Sequence, residues 1–185
     1  MRSFLSVCTG LFVASVSALA QAPDSTSRWN AYAFLAPGTS THVESGRATV
    51  HIGGGAERFI YQGLSVGAEV GPVITWTAPG RAAFNPFSND RVHGLFSPNI
   101  AYHFLSNTTD RKLDPFLTGG YSLFFGIGND LVVPGRGFTN TQSGYNVGGG
   151  ANFWLLRKAA MRLEFRQQSS VWYKTMDVRV GMTFR

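Results

Sequence analysis

The segment Met161–Arg185 alternates strictly. Met161, Leu163 and Phe165 share one parity, and Arg162, Glu164 and Arg166 the other. Further on, Val178, Val180, Met182 and Phe184 alternate with Asp177, Arg179, Gly181 and Thr183. A period of two sends each set to its own face of a sheet. One face is apolar and the other carries formal charge, so the apolar face needs a cover of protein or lipid.

The same pattern runs through the chain and predicts eight strands. The first covers Arg28–Ala36, where the small Ala31 and Ala33 leave the facing open, and Pro37-Gly38 is expected to end it. The second, Arg47–Ile60, sets Val50, Ile52, Gly54 and Ala56 against His51, Gly53, Gly55 and Glu57. Tyr61-Gln62-Gly63 is a tight turn into the third, Leu64–Trp76, where Leu64, Val66 and Val70 oppose Ser65, Gly67 and Glu69. The fourth (Val92–Leu105), fifth (Pro115–Gly128), sixth (Gly144–Leu156) and seventh (Ala160–Ser170) repeat the alternation, and a short loop at Val171–Tyr173 leads to the eighth. The links Pro37–Gly46, Thr77–Arg91 and Asn129–Ser143 are long. Those after the second, sixth and seventh strands are short, and Ser106–Asp114 is moderate. Long loops at one end with short turns at the other are the asymmetry of outer-membrane barrels, whose tilted strands need only ~9–11 residues to span. Backbone groups in lipid must all pair, so eight antiparallel strands must close. The expected fold is an all-β, eight-stranded antiparallel transmembrane up-and-down barrel.

Composition sharpens this picture. Residues 1–20 have the plan of a secretory signal: Arg2, an apolar run from Phe4 to Val16, and Ala18-Leu19-Ala20 before the expected cut. Residues 21–27 form a flexible leader, and residues 28–185 the barrel. The single cysteine, Cys8, falls in the signal, so the mature chain has no disulfide. Hydrophobic residues are 44% and charged residues 14%, with 22 glycines and 15 phenylalanines. After the signal there is no apolar run of ~18 residues, so no spanning helix is expected. Sixteen basic residues less Arg2 leave 15 against 10 acidic, a mature net charge of +5. The bases are scattered, which excludes a nucleic-acid stripe and fits contact with anionic lipid or lipopolysaccharide.

A soluble, lipocalin-like barrel with its apolar parity inward has the same periodicity. The glycines favour the membrane form. Gly53, Gly55, Gly67, Gly120, Gly148 and Gly150 share the polar parity. On a watered face they would only weaken the strands, whereas in a narrow lumen they make room for Arg and Glu. The predicted lumen set is Glu57, Glu69, Arg162, Glu164, Arg166, Asp177 and Arg179, with His51 and His103, paired as a structural plug. Aromatic girdles are expected at Trp29, Phe59, Tyr61, Tyr102, Phe104, Phe153, Trp154 and Phe184 on the turn side, and at Trp76, Tyr145, Trp172 and Tyr173 on the other.

Catalytic and cofactor chemistry find little support. The two Gly-Gly-Gly-Ala runs, Gly53–Ala56 and Gly148–Ala151, lack the helix and the Lys-Ser/Thr of a phosphate cradle. His103 and Ser106 are expected on opposite faces. Ser169 and Ser170 resemble the serine site of lipid A deacylases, which keep a His two residues before the serine, where this chain has Gln167 and Gln168. No catalytic residue, cofactor or metal is expected.

Arg162-Leu-Glu-Phe-Arg166 followed by Val178-Arg-Val-Gly-Met-Thr-Phe184 resembles the closing hairpin of the outer-membrane β-barrel domain family, the small OmpA-like barrels. Gly53-Gly-Gly-Ala-Glu57, Gly67-Ala-Glu69, Pro115-Phe-Leu-Thr-Gly-Gly-Tyr121 and Gly148-Gly-Gly-Ala151 extend the likeness across Arg28–Arg185. The resemblance implies an outer-membrane location and a mostly structural, adhesive or small-porin role, with no shared catalytic residue; a monomer is expected. It also implies a C-terminal aromatic, here Phe184, read by the outer-membrane assembly machinery, although Arg185 follows it in this chain.

Overall fold

Alternation of this strength commits the chain to sheet, and the computed structural model is a single closed sheet. It describes residues 29–42, 45–76, 91–105, 112–127, 141–170 and 174–185. The signal segment, the leader, residues 77–90 and 128–140, Ser106, Trp172 and Tyr173 lie outside them. Eight strands follow one another: β1 Trp29–His42, β2 Ser45–Tyr61, β3 Leu64–Trp76, β4 Arg91–His103, β5 Leu113–Ile127, β6 Gln142–Trp154, β7 Ala159–Ser170 and β8 Lys174–Phe184. Each pairs antiparallel with the next, and β8 closes on β1.

The register fixes the shape of the ring. From Asn30 the paired residues run Glu57, Gly67, Asn99, Gly120, Asn146, Gln168, Thr175 and back to Ser40 in β1. One circuit is displaced by 40 − 30 = 10 residues along β1. This stagger tilts the strands and makes every row of side chains a spiral.

β1 departs from expectation. Pro37 and Gly38 do not end it; the strand continues to His42, and β2 begins at Ser45. The first upper link is therefore short, not long. Pro37 lacks an N–H, but the ladder gives way only locally, skipping from Leu35↔Val180 to Gly38↔Asp177 while β2 stays paired opposite. Pro72 and Pro98 do the same. The ladder skips from His51↔Val73 to Gly54↔Val70, and from Phe96↔Leu123 to Asn99↔Gly120. All three prolines point outward and are exposed.

The inward face of β1 carries Asn30, Tyr32, Phe34, Ala36 and Ser40, all buried. Tyr32 pairs with Gly55 and Phe34 with Gly53, so two aromatic rings lie over two bare glycines. A Cβ on Gly55 would come 2.7 Å from the Tyr32 hydroxyl and 2.6 Å from the Ala68 carbonyl; one on Gly53 would come 2.7 Å from Phe34 Cζ. The absent side chains are the space that the rings occupy. Gly63, at φ 90°, sits in the β2–β3 turn, a conformation that glycine takes without strain.

A branched side chain at Gly55 must displace Tyr32. Gly55→Val is expected to destabilise the barrel by about 2 kcal/mol or more. Val147→Ile, on the exposed outer face, is expected to shift stability by less than about 0.5 kcal/mol. Urea unfolding in detergent, followed by tryptophan fluorescence, measures both.

Candidate functional site: the charged lumen

The parity that exposes Leu163 and Phe165 on β7 turns Arg162, Glu164 and Arg166 inward. On β8 the inward residues are Thr175, Asp177, Arg179 and Thr183. His51 and Glu57 come from β2, Glu69 from β3 and His103 from β4. Each of the three arginines is at most 2% exposed. Charges so far from water must be paired and hydrogen-bonded.

Glu69 is the hub. Arg179 Nη1 donates to both of its carboxylate oxygens at 2.9 Å, and Arg166 Nη1 lies 2.9 Å from Oε2. The Tyr32 hydroxyl donates to the same carboxylate at 3.4 Å. Glu164 accepts from Arg166 Nε, and Arg162 reaches it through Nε at 3.0 Å and Nη2 at 2.9 Å. Asp177 accepts from Arg179 Nε at 2.8 Å. Aromatic faces complete the packing. Arg162 Cζ lies 4.3 Å from the Tyr32 ring centroid and 4.1 Å from that of Phe116, and Arg179 Cζ lies 4.5 Å from Phe34.

A second group sits nearer the turn end. His103 Nδ1 is 2.9 Å from Asp114 Oδ2, and Nε2 is 3.3 Å from Glu57 Oε2. Both ring nitrogens face carboxylate oxygen, an arrangement that a doubly protonated imidazole satisfies. Asn30 and Ser65 also donate to Glu57, at 3.0 and 3.2 Å, and Asn152 donates to Asp114 at 3.4 Å. Arg162 Nη1, 3.9 Å from Glu57, links this group to the first. His51 Nδ1 lies 3.4 Å from Arg179 Nη2.

The seven charged residues predicted for the lumen all lie in it, and contacts chain them together. Asp114, Tyr32, Phe34 and Phe116 were not anticipated. Asp114 stands second in β5, on the parity of Phe116 and Thr118, and reads as a turn residue only when the strand is begun too late. Phe59 and Trp154 depart from the expected girdle and turn inward. The β2–β3 register shifts between Phe59 and Tyr61, and the Phe59 ring lies 4.9 Å from that of His103. Trp154 carries Arg185 Cζ 3.7 Å above its ring. Phe184 ends β8 on the outer parity, paired with Ala31 and Ala159.

Hydrolysis would need a serine and a free base in reach. Ser170 Oγ donates to Gln142 at 3.3 Å, while His103 is held between two carboxylates.

No family model and no curated protein matches the sequence. Solved structures do match. Neisserial surface protein A aligns at a TM-score of 0.67 with 15% identity, covering 85% of this chain and 97% of that one. OprG of Pseudomonas aeruginosa aligns at 0.54 with 11% identity, covering 85% and 95%. Ail, the attachment invasion locus protein of Yersinia pestis, aligns at 0.51 with 10% identity, covering 86% and 99%. The fold is that of the small outer-membrane β-barrels. At these identities the likeness speaks to the fold alone.

Removing the hub carboxylate takes one of two carboxylate partners from each of two buried guanidinium groups, leaving Arg166 with Glu164 and Arg179 with Asp177. Glu69→Gln is expected to cost about 3–5 kcal/mol, and Glu69→Arg or Arg166→Glu to prevent stable assembly. Asp177→Asn, which relieves one arginine only, is expected to cost less. The heat-dependent gel shift and urea midpoints measure the order.

Proposed function

We propose that the protein is an integral barrel of the bacterial outer membrane. It has a side-chain-plugged lumen, no catalytic activity, and a structural or surface-adhesive role.

One observation carries the reading: the faces are inverted relative to a soluble barrel. Leu35, Ile52, Val66, Val70, Phe96, Ile100, Leu117, Val147, Leu163, Phe165, Val178 and Val180 are each 39–63% exposed and come from all eight strands. Every carboxylate side chain among the described residues is buried. A lipocalin-like barrel would turn the apolar set inward, so a soluble ligand-binding role is not supported. An apolar belt of this kind is stable in hydrocarbon, where the closed ladder leaves no edge. Trp29, Tyr61, Tyr102 and Phe104 are exposed at the turn end, as an interfacial girdle requires.

The plug argues against a wide pore, since the lumen width is taken up by Arg–Glu pairs and rings. An adhesive role would be carried by the long links 77–90 and 128–140 on the outer side. Ail, which shares the fold and is named for attachment, supports it. A lipid A deacylase role gains no support from Ser169 and Ser170, which follow Gln167 and Gln168 rather than a histidine; Ser170 Oγ donates to Gln142, and His103 is held between two carboxylates. Assembly would proceed through the outer-membrane machinery reading Phe184, and the outer leaflet would supply lipopolysaccharide.

The mature protein is expected in the outer-membrane fraction, extractable only with detergent, with different gel mobility before and after boiling. A protein soluble without detergent would refute the proposal. Planar-bilayer recordings are expected to show no sustained porin-like conductance. Val178→Arg, mid-strand on the outer face, is expected to cost about 2–4 kcal/mol in lipid, as measured by urea titration in vesicles.

A further inference from the structure

Among the described residues, the exposed charge of this barrel is of one sign. Glu57, Glu69, Asp114, Glu164 and Asp177, all the carboxylate side chains among the described residues, are buried in the lumen. The charged side chains that stand exposed on the described surface are all cationic: Arg58, Lys112, Arg157, Lys158 and Lys174. All but Lys174 lie at the turn end, where the half-buried Arg185, its guanidinium over the inward-turned Trp154 ring, adds a base to the same rim. The acid in the intervening link, Asp110, is followed at once by Arg111 and Lys112, so that stretch is net positive too.

Four of these bases lie on one arc of the rim. Trp154 N–H donates to the Lys112 carbonyl at 2.7 Å, and Arg185 N–H to that of Lys158 at 3.0 Å. Lys112, Arg157, Lys158 and Arg185 are thereby gathered over β5 to β8. Large apolar side chains stand among them. Leu113 follows Lys112, and Leu155-Leu156 precede Arg157-Lys158, at 43%, 68% and 70% exposure. On the other side of the ring, Arg58 Cζ lies 5.5 Å from the centroid of the exposed Trp29.

We infer that the turn-end rim is a binding surface for phospholipids with a net negative head group. This deepens the membrane reading above and rests on it. The chemistry matches in two parts. A cation belt at the lower limit of an apolar belt meets phosphate at head-group level, as long basic side chains reach out from the hydrocarbon edge. The leucines beside the bases meet the first methylenes of the same lipid. A soluble acidic partner would use the cations and leave the leucines in water. In the proposed orientation this end faces the periplasm, so the lipids are those of the inner leaflet.

The test uses the full barrel refolded into phosphatidylcholine vesicles containing a trace of spin-labelled phosphatidylglycerol or spin-labelled phosphatidylcholine. Electron spin resonance then reports the motionally restricted fraction of each. Association of the anionic label is expected to exceed that of the neutral one by about threefold or more at low salt. The preference is expected to fall towards parity near about 1 M salt, where charge interactions are screened. The triple variant Lys112→Gln/Arg157→Gln/Lys158→Gln, shown to be folded by its gel shift, should lose most of the preference, whereas Lys174→Gln keeps it. Equal association of the two labels with the wild type, or a preference unmoved by salt and by the triple variant, overturns the inference. So does a wild type without lipid preference that co-sediments with isolated cell-wall sacculi, which would assign the rim to the wall polymer. A protein that fails to enter the vesicles refutes the membrane reading itself; one that enters without preference refutes only the lipid surface.

Discussion

A ring of eight strands encloses a space only about as wide as the side chains that fill it. That constraint governs this molecule. If the outer face is apolar, strict alternation sends every polar and charged group of the wall into the narrow interior. There the groups must neutralise one another or leave a stranded charge. Glu69 between Arg166 and Arg179, Glu164 between Arg162 and Arg166, and His103 between Glu57 and Asp114 are the solutions found. The glycines follow from the same limit. Where Tyr32 and Phe34 enter the lumen, the paired positions on β2 carry no side chain at all.

Much of this was legible in the sequence, for identifiable reasons. On β7 and β8 the large apolar residues recur at nearly every second position, and every formal charge from Arg162 to Arg166 and from Asp177 to Arg179 falls between them, so facing and pairing followed from period two. Glu57 and Glu69 were placed correctly because glycines share their parity. β1 was not legible. Ala31 and Ala33 are too small to declare a face, and Pro37-Gly38 has the look of a chain break. Whether a proline ends a strand depends on where its missing N–H points, and that is a property of neighbours far along the chain. Asp114 was hidden because a polar link runs into β5 without a boundary signal. Phe59 was misplaced because its nearness to the turn suggested a girdle ring, although it keeps the inward parity of Gly55 and Glu57.

The loop end is lopsided in a way that the sequence had obscured. With β1 and β2 extended, only residues 43–44 join them, and only 171–173 join β7 to β8, while 77–90 and 128–141 separate the other pairs. The long links are neighbours on one side of the ring, and the short hairpins are neighbours on the other. Half of this rim is thus closed by tight hairpins, and the other half carries all the length that the chain spends on long links.

The ladder hydrogen bonds run around the circumference. They resist being pulled apart, but they offer little against flattening, which changes curvature without lengthening any bond. Glu69 and Arg166 stand on β3 and β7, four strands apart in a ring of eight, and thus across a diameter. Glu69 to Arg179 spans β3 to β8, and Glu57 to Arg162 spans β2 to β7. Acting as spokes under both tension and compression, these pairs keep the cross-section round against the lateral pressure of the surrounding lipid.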